Sequence, residues 1–480
     1  MEAPPAPSAP LTLSGDEMRS LGYAVIDAIV THIEGLTTRT VAPPGRTPPL
    51  RPGAPPPEHG TSPAVVLAAT RAALQDAVAH DHPRFFAMVP SPGNFVSVMA
   101  DALTAGFNNF GGLARMSPTG NAMELEALEW LRTLCGLDPG ASGVFVSGAA
   151  AATLISIVVA REHHLGPSQD DIRDARIYCS TSTHPVLDRG AKIAGLGPSC
   201  VRRLPVGDDL RLDVAALERA IRDDRAAGHR PFLVVANAGT TDSGTVDDLP
   251  ALARICRAEG LWLHVDGAYG AAAALTERGR GLLRGLELAD SLALDPHKWL
   301  FQPYELGCLL LRRPQLLEQT MRLRANYFDH LEQRDESVDF KDRGIQLTRS
   351  LKALKLWMSL KTFGVAAFRQ AIDHGLDLAQ VAADELQDHL DWQLVTPPQL
   401  AILTFRYQPG DLAGAALDAL QQRLCDDLED SGFAMINTTL VRGVRVLRMC
   451  TIHPRATEAD VRAVVRWLAR RALELRAAYR

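Results

Sequence analysis

Short apolar runs separated by helical stretches constrain the fold of this chain more than any other feature. Between about residues 90 and 320 they read GVFVSG, ARIYCS, PFLVVANAGTT, LWLHVDGAYG and DSLALDPHKW. Several are apolar without polar alternation, which is typical of strands buried on both faces. The pattern predicts an α/β fold, in which helices flank a mostly parallel sheet.

The regions outside this alternation predict smaller units. Residues 16–36 have apolar positions at helical spacing, and the proline-rich stretch after them predicts a stiff connector. Beyond about residue 360, two apolar runs lie among helical stretches, and the last helix opens with the capping pattern TEAD. We expect a disordered tail at 1–12, a helical arm with its connector at 13–90, a large domain at 91–360 and a small α+β domain at 361–480.

Charge and cysteine content exclude several classes of function. The 480 residues carry a net charge of −6 without a run of lysine or arginine, which argues against nucleic acid or a membrane surface as a partner. The seven cysteines are scattered without metal-ligand spacing, so we expect reduced thiols and no metal site. The first residues lack a signal-peptide pattern, and no apolar run reaches transmembrane length. A cytoplasmic protein acting on a small molecule is expected.

Polar residues follow several of the predicted strands. Parallel sheets bind ligands at the carboxyl ends of their strands, where this chain carries Ser147, Gly148, Thr240, Thr241, Asp266 and Lys298. Asp266 precedes Lys298 by about one helical crossover, so neighbouring strands would present a carboxylate and an amine together. Such a pair suits pyridoxal phosphate (PLP), whose aldehyde binds lysine and whose ring nitrogen needs a carboxylate. A surface lysine and a structural aspartate remain the alternatives.

Four motifs resemble the group II PLP-dependent amino-acid decarboxylases, the aromatic-L-amino-acid decarboxylase family. They are HPRFFAMVP, HVDGAYG, DSLALDPHKWL and LTRSLKALKLWMSLKTFG, and the similarity runs in order from about residue 15 to the C-terminus. The resemblance implies a fold-type I enzyme that uses PLP to remove carbon dioxide from an L-amino acid. It also implies a homodimer in which the N-terminal arm clasps the partner subunit.

The resemblance assigns roles to individual residues. Lys298 is the Schiff-base lysine, Asp266 is the partner of the ring nitrogen, and Ala268 and His184 pack on the two faces of the ring. The remaining implied cofactor contacts are Thr241, Asp247, His297 and the backbone amides of Gly148, Ala149 and Ala150. Asp295 is expected to make no direct contact with the phosphate, because its carboxylate would repel it.

Phe340 raises a second possible reaction. Members of the family carry a proton-donating tyrosine on a lid loop, and counting back from LTRSLKALKLW places Phe340 at that position. Residues 326–344 are rich in charged side chains, which predicts an exposed lid. Among relatives, phenylalanine at this lid position looks like a feature of the aldehyde synthases. These enzymes make carbon dioxide, an aldehyde, ammonia and hydrogen peroxide. A different loop register would leave protonation to Tyr327 or His184, and simple decarboxylation is the favoured outcome.

The substrate is less constrained by the sequence. Phe85 and Phe86 correspond to a segment that helps form the side-chain pocket, and an aromatic lining favours an aromatic substrate. Arg115 could instead bind the acidic side chain of glutamate, aspartate or cysteine sulfinate, or be an ordinary surface residue. An aminotransferase, a cysteine desulfurase and a non-catalytic cofactor-binding subunit are the competing hypotheses.

Overall fold

A mixed seven-stranded sheet forms the centre of the fold in the computed structural model, which describes residues 11–43, 55–166, 172–323 and 337–478. Its strands are β1 (Ser142–Val146), β2 (Ala175–Ser180), β3 (Val201–Leu204), β4 (Arg230–Asn237), β5 (Trp262–Asp266), β6 (Ser291–Leu294) and β7 (Gly307–Leu311). They lie in the order β1-β7-β6-β5-β4-β2-β3. Only β7 runs antiparallel to its neighbours β1 and β6, so the expected mostly parallel sheet is confirmed.

Helices flank this sheet and extend to both ends of the described chain. They are α1 (Gly15–Gly35), α2 (Pro63–Gln75), α3 (Phe95–Phe107), α4 (Pro118–Leu134), α5 (Ala149–Leu165), α6 (Val186–Ile193), α7 (Val214–Ala226), α8 (Leu249–Glu259), α9 (Glu277–Leu282), α10 (Gln315–Met321), α11 (Leu354–Gln387), α12 (Gly414–Asp430) and α13 (Glu458–Ala478). Helix α5 packs across β4 to β7, which explains why most of its turns are apolar. Among the described residues, no helix is both long and apolar enough to cross a membrane.

A four-stranded antiparallel sheet forms the second unit. Its strands are β8 (Trp392–Gln399), β9 (Ile402–Tyr407), β10 (Asn437–Val441) and β11 (Val444–Cys450), in the order β10-β11-β9-β8. The TEAD pattern caps α13 as expected, because Thr457 and Asp460 exchange side-chain and backbone hydrogen bonds. The α+β character of this C-terminal region is confirmed by the sheet and its helices.

Two hydrophobic cores meet along helix α11. Leu376 belongs to the core of the large sheet, whereas Leu378 belongs to the core of the small sheet. Gly364 interrupts the helix with a φ of 73°, a conformation that glycine adopts without steric cost. The two units are therefore joined by a shared helix, and the division between them falls inside it.

Candidate active site

Strands β5 and β6 are parallel neighbours, as the crossover length predicts. Asp266, the last residue of β5, lies beside Ala293 of β6 and beside Asn237, the last residue of β4. The turn that follows β6 carries Asp295 and Lys298. The carboxyl ends of three adjacent strands thus converge on one edge, which is where parallel sheets bind ligands.

Lys298 is paired with an aspartate in this turn. Its Nζ lies 3.0 Å from Oδ2 of Asp295, and the lysine side chain is 26% exposed while that of Asp295 is 4% exposed. The other oxygen of Asp295 accepts a 2.6 Å hydrogen bond from the backbone amide of Ala149. The sequence prediction for Asp295 concerned only its contact with a phosphate and missed its pairing with Lys298. The i,i+3 spacing of the two residues is the sequence signal that could have revealed this pair.

The N-terminus of helix α5 forms an anion site beside this pair. The helix begins at Ala149, and Gly148 before it supplies no capping side chain. The first amides of a helix attract anions through their free N–H groups and the helix dipole. A Cβ on Gly307 would lie 2.4 Å from Cα of Gly148, so glycine there lets strand β7 approach the loop closely. Gly148, Ala149 and the exposed Ala150 therefore surround a site suited to an anion, in which the Ala149 amide is bonded to the Asp295 carboxylate.

Ala268 links the aspartates of the two strand ends, and His297 lies beside one of them, Asp295. The amide of Ala268 donates to Oδ1 of Asp266 over 3.1 Å, and its carbonyl accepts from the amide of Asp295 over 2.8 Å. Nδ1 of His297 accepts from the amide of Leu306 over 3.1 Å, and its Nε2 lies 3.6 Å from Asp295. Burial lowers the pKa of His297 below its usual value, which favours a neutral ring.

His184, Thr241 and Asp247 occupy three different environments. His184 is exposed between β2 and α6, and Thr241 is exposed beyond the end of β4. Asp247 is buried, and its oxygens accept from the amides of Leu212 and Asn237 and from the Asn237 side chain. Burial raises the pKa of Asp247. Asp247 therefore braces the end of β4, and its place in the lining of the cofactor site stays a prediction.

The two phenylalanines expected in the substrate pocket are fully buried. Phe86 packs in the core of the small sheet, and Phe85 packs with Val41 and Ala87. The Phe86 backbone also bonds with Met435 and Cys450. These rings anchor the segment between the two units, so the expectation that they line an open pocket is not met. Farther along the segment, the Ser91 hydroxyl donates to the carbonyl of His297.

Phe340 also lies in the interior of the protein. Its side chain is 0% exposed, and the guanidinium of Arg349 lies 5.0 Å from its ring centre. Its neighbours Lys341 and Asp342 are buried as an ion pair with a separation of 2.9 Å. The expected exposed lid is therefore wrong for residues 340–343, because their charges are paired internally. Tyr327, the alternative proton donor, lies outside the described residues.

Arg448 is a buried residue near the site that the sequence did not single out. It lies on β11 and is 2% exposed. Its Nε donates to the carbonyl of Thr241 over 2.6 Å, and its Nη1 donates to the carbonyl of Met88. Its Nη2 has no hydrogen-bond partner within the described ranges. Arg448 thus connects the small sheet to the residues around the site. No sequence motif marks it, because the contact depends on how β11 packs in the folded protein.

The residues at this edge fit PLP. Lys298 supplies a partly exposed amine, Asp266 supplies a carboxylate on the adjacent strand, and α5 supplies N-terminal amides, of which that of Ala149 is bonded to Asp295. PLP requires these three groups for its aldehyde, its ring nitrogen and its phosphate. The donor set therefore matches the chemistry of this cofactor.

Comparisons with known proteins agree with this geometry. Residues 44–408 match the model of the pyridoxal-dependent decarboxylase conserved domain. The chain is 42% identical to an aromatic-L-amino-acid decarboxylase of Bacillus atrophaeus, with 94% of each chain covered. It resembles the Oryza sativa TDC solved with PLP and tryptamine, at a TM-score of 0.90 and 27% identity over 98% of this chain and 100% of that one.

An aldehyde synthase has a similar structure. The 4-hydroxyphenylacetaldehyde synthase of Rhodiola rosea matches with a TM-score of 0.88 and 26% identity, over 97% of this chain and 99% of that one. The fold alone therefore does not separate the two reactions. The family match, the relative with 42% identity and the site geometry agree on the cofactor and the reaction class. This chain belongs to the pyridoxal-dependent decarboxylases and is a PLP-dependent amino-acid decarboxylase.

Proposed function

We propose that this chain decarboxylates an aromatic L-amino acid to carbon dioxide and the corresponding amine. The observation that carries the proposal is the shared edge of β5 and β6, which presents Asp266 and the Lys298 turn beside the N-terminus of α5. The aromatic substrate class is supported by the relative from Bacillus atrophaeus and by the tryptamine in the Oryza sativa structure.

Three groups of this chain hold the cofactor in the proposal. Bound PLP supplies a conjugated ring that accepts the electron pair left when carbon dioxide departs. Nζ of Lys298 binds the aldehyde of the cofactor, and Asp266 holds a proton at the ring nitrogen. The amides of Gly148, Ala149 and Ala150 bind the phosphate.

Two further residues orient the ring in this proposal. His184, exposed beyond β2, covers one face of the ring, and Ala268 packs against the other. The bond from Ala268 to Asp266 fixes the position of the carboxylate relative to that face. Thr241 and His297 lie at the rim, and neutral His297 adds no positive charge that would compete with Lys298 for Asp295.

Decarboxylation to the amine is favoured over aldehyde formation. The argument for an aldehyde synthase placed Phe340 on an exposed lid, and a fully buried ring under Arg349 weakens it. Protonation of the substrate carbon is then left to Tyr327 or His184. An amine product needs one proton from such a group, whereas an aldehyde product needs dioxygen.

A homodimer is the proposed form of the enzyme. Helices α1 and α2 have no buried residues on the described chain, although Met18, Tyr23, Val65, Val66 and Leu74 are apolar and exposed. An amphipathic arm without a core to cover is suited to packing on a second copy. Sedimentation of the wild type and of Tyr23→Asp tests this: we expect a dimer that the charge weakens, and a monomeric wild type would contradict it.

The proposed compartment is the cytoplasm. All seven cysteines are free and buried, as in proteins that remain in a reducing environment. Burial raises the pKa of Cys135 and Cys425 to about 12, so neither thiol is reactive near neutral pH.

A product balance tests the proposed reaction. The purified protein receives PLP and, separately, tyrosine, phenylalanine, tryptophan, DOPA, histidine, glutamate, aspartate and cysteine sulfinate. Carbon dioxide, amine, ammonia and peroxide are measured together. We expect carbon dioxide matched by amine from an aromatic substrate. Carbon dioxide matched by ammonia and peroxide would contradict the proposal in favour of an aldehyde synthase, and turnover of only the acidic substrates would contradict the substrate class.

A further inference from the structure

A buried polar cluster lies between helix α5 and strands β5 and β6. Nδ1 of His264 is 3.1 Å from the Ser156 hydroxyl and 2.8 Å from the Ser291 hydroxyl. The two hydroxyls are 2.7 Å apart, and the indole N–H of Trp262 donates to Ser291 over 2.8 Å. His264 is 0% exposed. No step of the proposed reaction uses this cluster.

The cluster determines which nitrogen of His264 carries the hydrogen. Burial lowers the pKa of His264 to about 4, so the ring is neutral near neutral pH and has one N–H group. The Ser156 and Ser291 hydroxyls form a small triangle with Nδ1, and the Ser291 oxygen already accepts from the Trp262 indole, so an accepting Nδ1 gives a hydroxyl hydrogen of the triangle an acceptor. The ring hydrogen then lies on Nε2, since the bonds at one ring nitrogen set the state of the other.

Nε2 of His264 is a buried donor with no partner in the described parts of the chain. A buried N–H without a partner is costly, and such groups usually bind an ordered water. His264 and Asp266 are two positions apart on β5, so their side chains lie on the same face. At roughly 3.3 Å per residue their backbone positions are about 7 Å apart, and the described residues contain no direct hydrogen bond from Nε2 of His264 to Asp266, so a bridging water is the link that this spacing allows. The Asp266 carboxylate also raises the pKa of His264, against the larger effect of burial.

We propose that His264 is a positioning residue for Asp266, to which its Nε2–H group is connected by one buried water. This inference rests on the proposed function, in which Asp266 is the partner of the cofactor ring nitrogen. The water donates its hydrogen to the carboxylate, which stays ionised and keeps its orientation. The serine cluster fixes the ring of His264 from behind, so Ser156 and Ser291 act through His264.

The tautomer of His264 can be measured without cofactor or substrate. NMR of protein labelled in its histidine rings, with the His264→Asn variant for assignment, identifies the protonated nitrogen. We expect hydrogen on Nε2, and we expect Asp266→Asn to shift that signal. Hydrogen on Nδ1, or a signal that ignores Asp266→Asn, would overturn the inference even if the protein binds PLP and decarboxylates an amino acid as proposed.

Two substitutions then separate positioning from structural support. His264→Asn keeps a polar group near the Nδ1 position, whereas His264→Gln places its amide near Nε2. With PLP labelled at the ring nitrogen, NMR reports whether that nitrogen is protonated. We expect His264→Asn to lose part of the protonated signal and about tenfold in kcat with little change in KM.

The matched controls are His264→Gln and Ser156→Ala. We expect His264→Gln to restore most of the protonated signal, and Ser156→Ala to reduce stability more than it changes the signal. A His264→Asn variant that is less stable but has the wild-type ring signal would overturn the proposal. A wild type that binds no PLP would instead refute the proposed function, and the tautomer measurement would still decide the assignment of His264.

Discussion

Two ion pairs lie on either side of the loop between β1 and α5, and they differ in how much of each charged side chain is exposed. The pair of Lys298 and Asp295 joins a side chain that is 26% exposed to one that is 4% exposed. The pair of Arg349 and Glu124 has side chains that are 2% and 1% exposed. Arg349 makes two bonds to Glu124 and further bonds to the carbonyls of Gly111 and Phe145.

The difference teaches how to separate a reactive charge from a structural one. The guanidinium of Arg349 is surrounded by acceptors and cannot lose its proton, so its charge serves only to hold β1 and the neighbouring loops together. Lys298 has one carboxylate on one side and open space on the other, and an amine can lose its proton. A charged side chain that is partly exposed and has few hydrogen-bond partners is therefore the better candidate for a reactive group.

Replacing Lys298 should have the largest effect on activity. We expect Lys298→Ala to lose at least about a thousandfold in kcat, as removal of a covalent catalyst usually does, while its unfolding transition changes little. The measurement is carbon dioxide release together with denaturant unfolding. Lys361→Ala is the matched control, because Lys361 on α11 forms a 3.0 Å pair with Glu126 on α4. Equal loss in both variants would break the distinction between the pairs.

Removing one partner of the buried pair should have the largest effect on stability. Glu124→Gln leaves the Arg349 charge buried and unpaired, which costs about 3–5 kcal/mol of unfolding free energy. Denaturant unfolding measures the loss, and the double variant Glu124→Leu with Arg349→Met should recover part of it. A Glu124→Gln variant with wild-type stability would show that this pair is not structural.

Buried histidines should make stability depend on pH. Burial lowers the pKa of His453 to about 4, and its Nε2 contacts the carbonyl of Asp81 at 2.9 Å. The unfolded chain, with a histidine pKa of about 6.5, binds more protons between these values. The free energy of unfolding therefore rises with pH in this window, by at most about 3 kcal/mol from His453, and is lost as the pH falls.

Unfolding at a series of pH values checks this contribution. His453→Gln should give a flatter curve between about pH 4 and 6.5, because it removes a group that only the unfolded chain protonates there. His184→Gln removes an exposed imidazole and is the matched control for the loss of a histidine, so its comparison with His453→Gln isolates the effect of burial. Parallel curves for His453→Gln and the wild type would contradict the assignment.

Phe340→Tyr should have the smallest effect on the reaction. The ring is buried under Arg349 and lines a small cavity with Ser147 and Ala151, so an added hydroxyl without a partner costs about 1–3 kcal/mol of stability. We expect the ratio of amine to aldehyde to equal that of the wild type. A changed ratio would restore Phe340 to the reacting site and would make the aldehyde synthase hypothesis the stronger one.

Much of the large sheet could be predicted from the sequence because its strands are apolar runs with clear ends. ARIYCS coincides with β2, and β5 and β6 lie inside their predicted runs. Strands β3, β7, β8 and β10 were not predicted. Among them, β8 contains two prolines and β10 is partly polar, so neither has the pattern of a buried strand.

The sequence predicts a site residue well when its type and its place at a strand end suffice to indicate its chemistry. It predicts poorly the residues that reach the site only through contacts between distant parts of the chain. Asp266 and Lys298 follow from strand ends and motifs. Arg448 reaches the site only through the packing of the small unit, more than 200 residues from Thr241. The exposed lid was wrongly predicted for residues 340–343 because a dense run of charges resembles an exposed loop, whereas Lys341 and Asp342 neutralise each other in the interior.

The most direct test of the central claim is to locate the lysine that binds the cofactor. The wild-type protein is incubated with PLP, reduced with borohydride, digested and analysed by mass spectrometry, with Lys298→Ala treated in parallel. The account predicts that the cofactor is attached to Lys298 and that the visible absorption band is absent from Lys298→Ala. Attachment to another lysine, or a band of equal strength in Lys298→Ala, would contradict it.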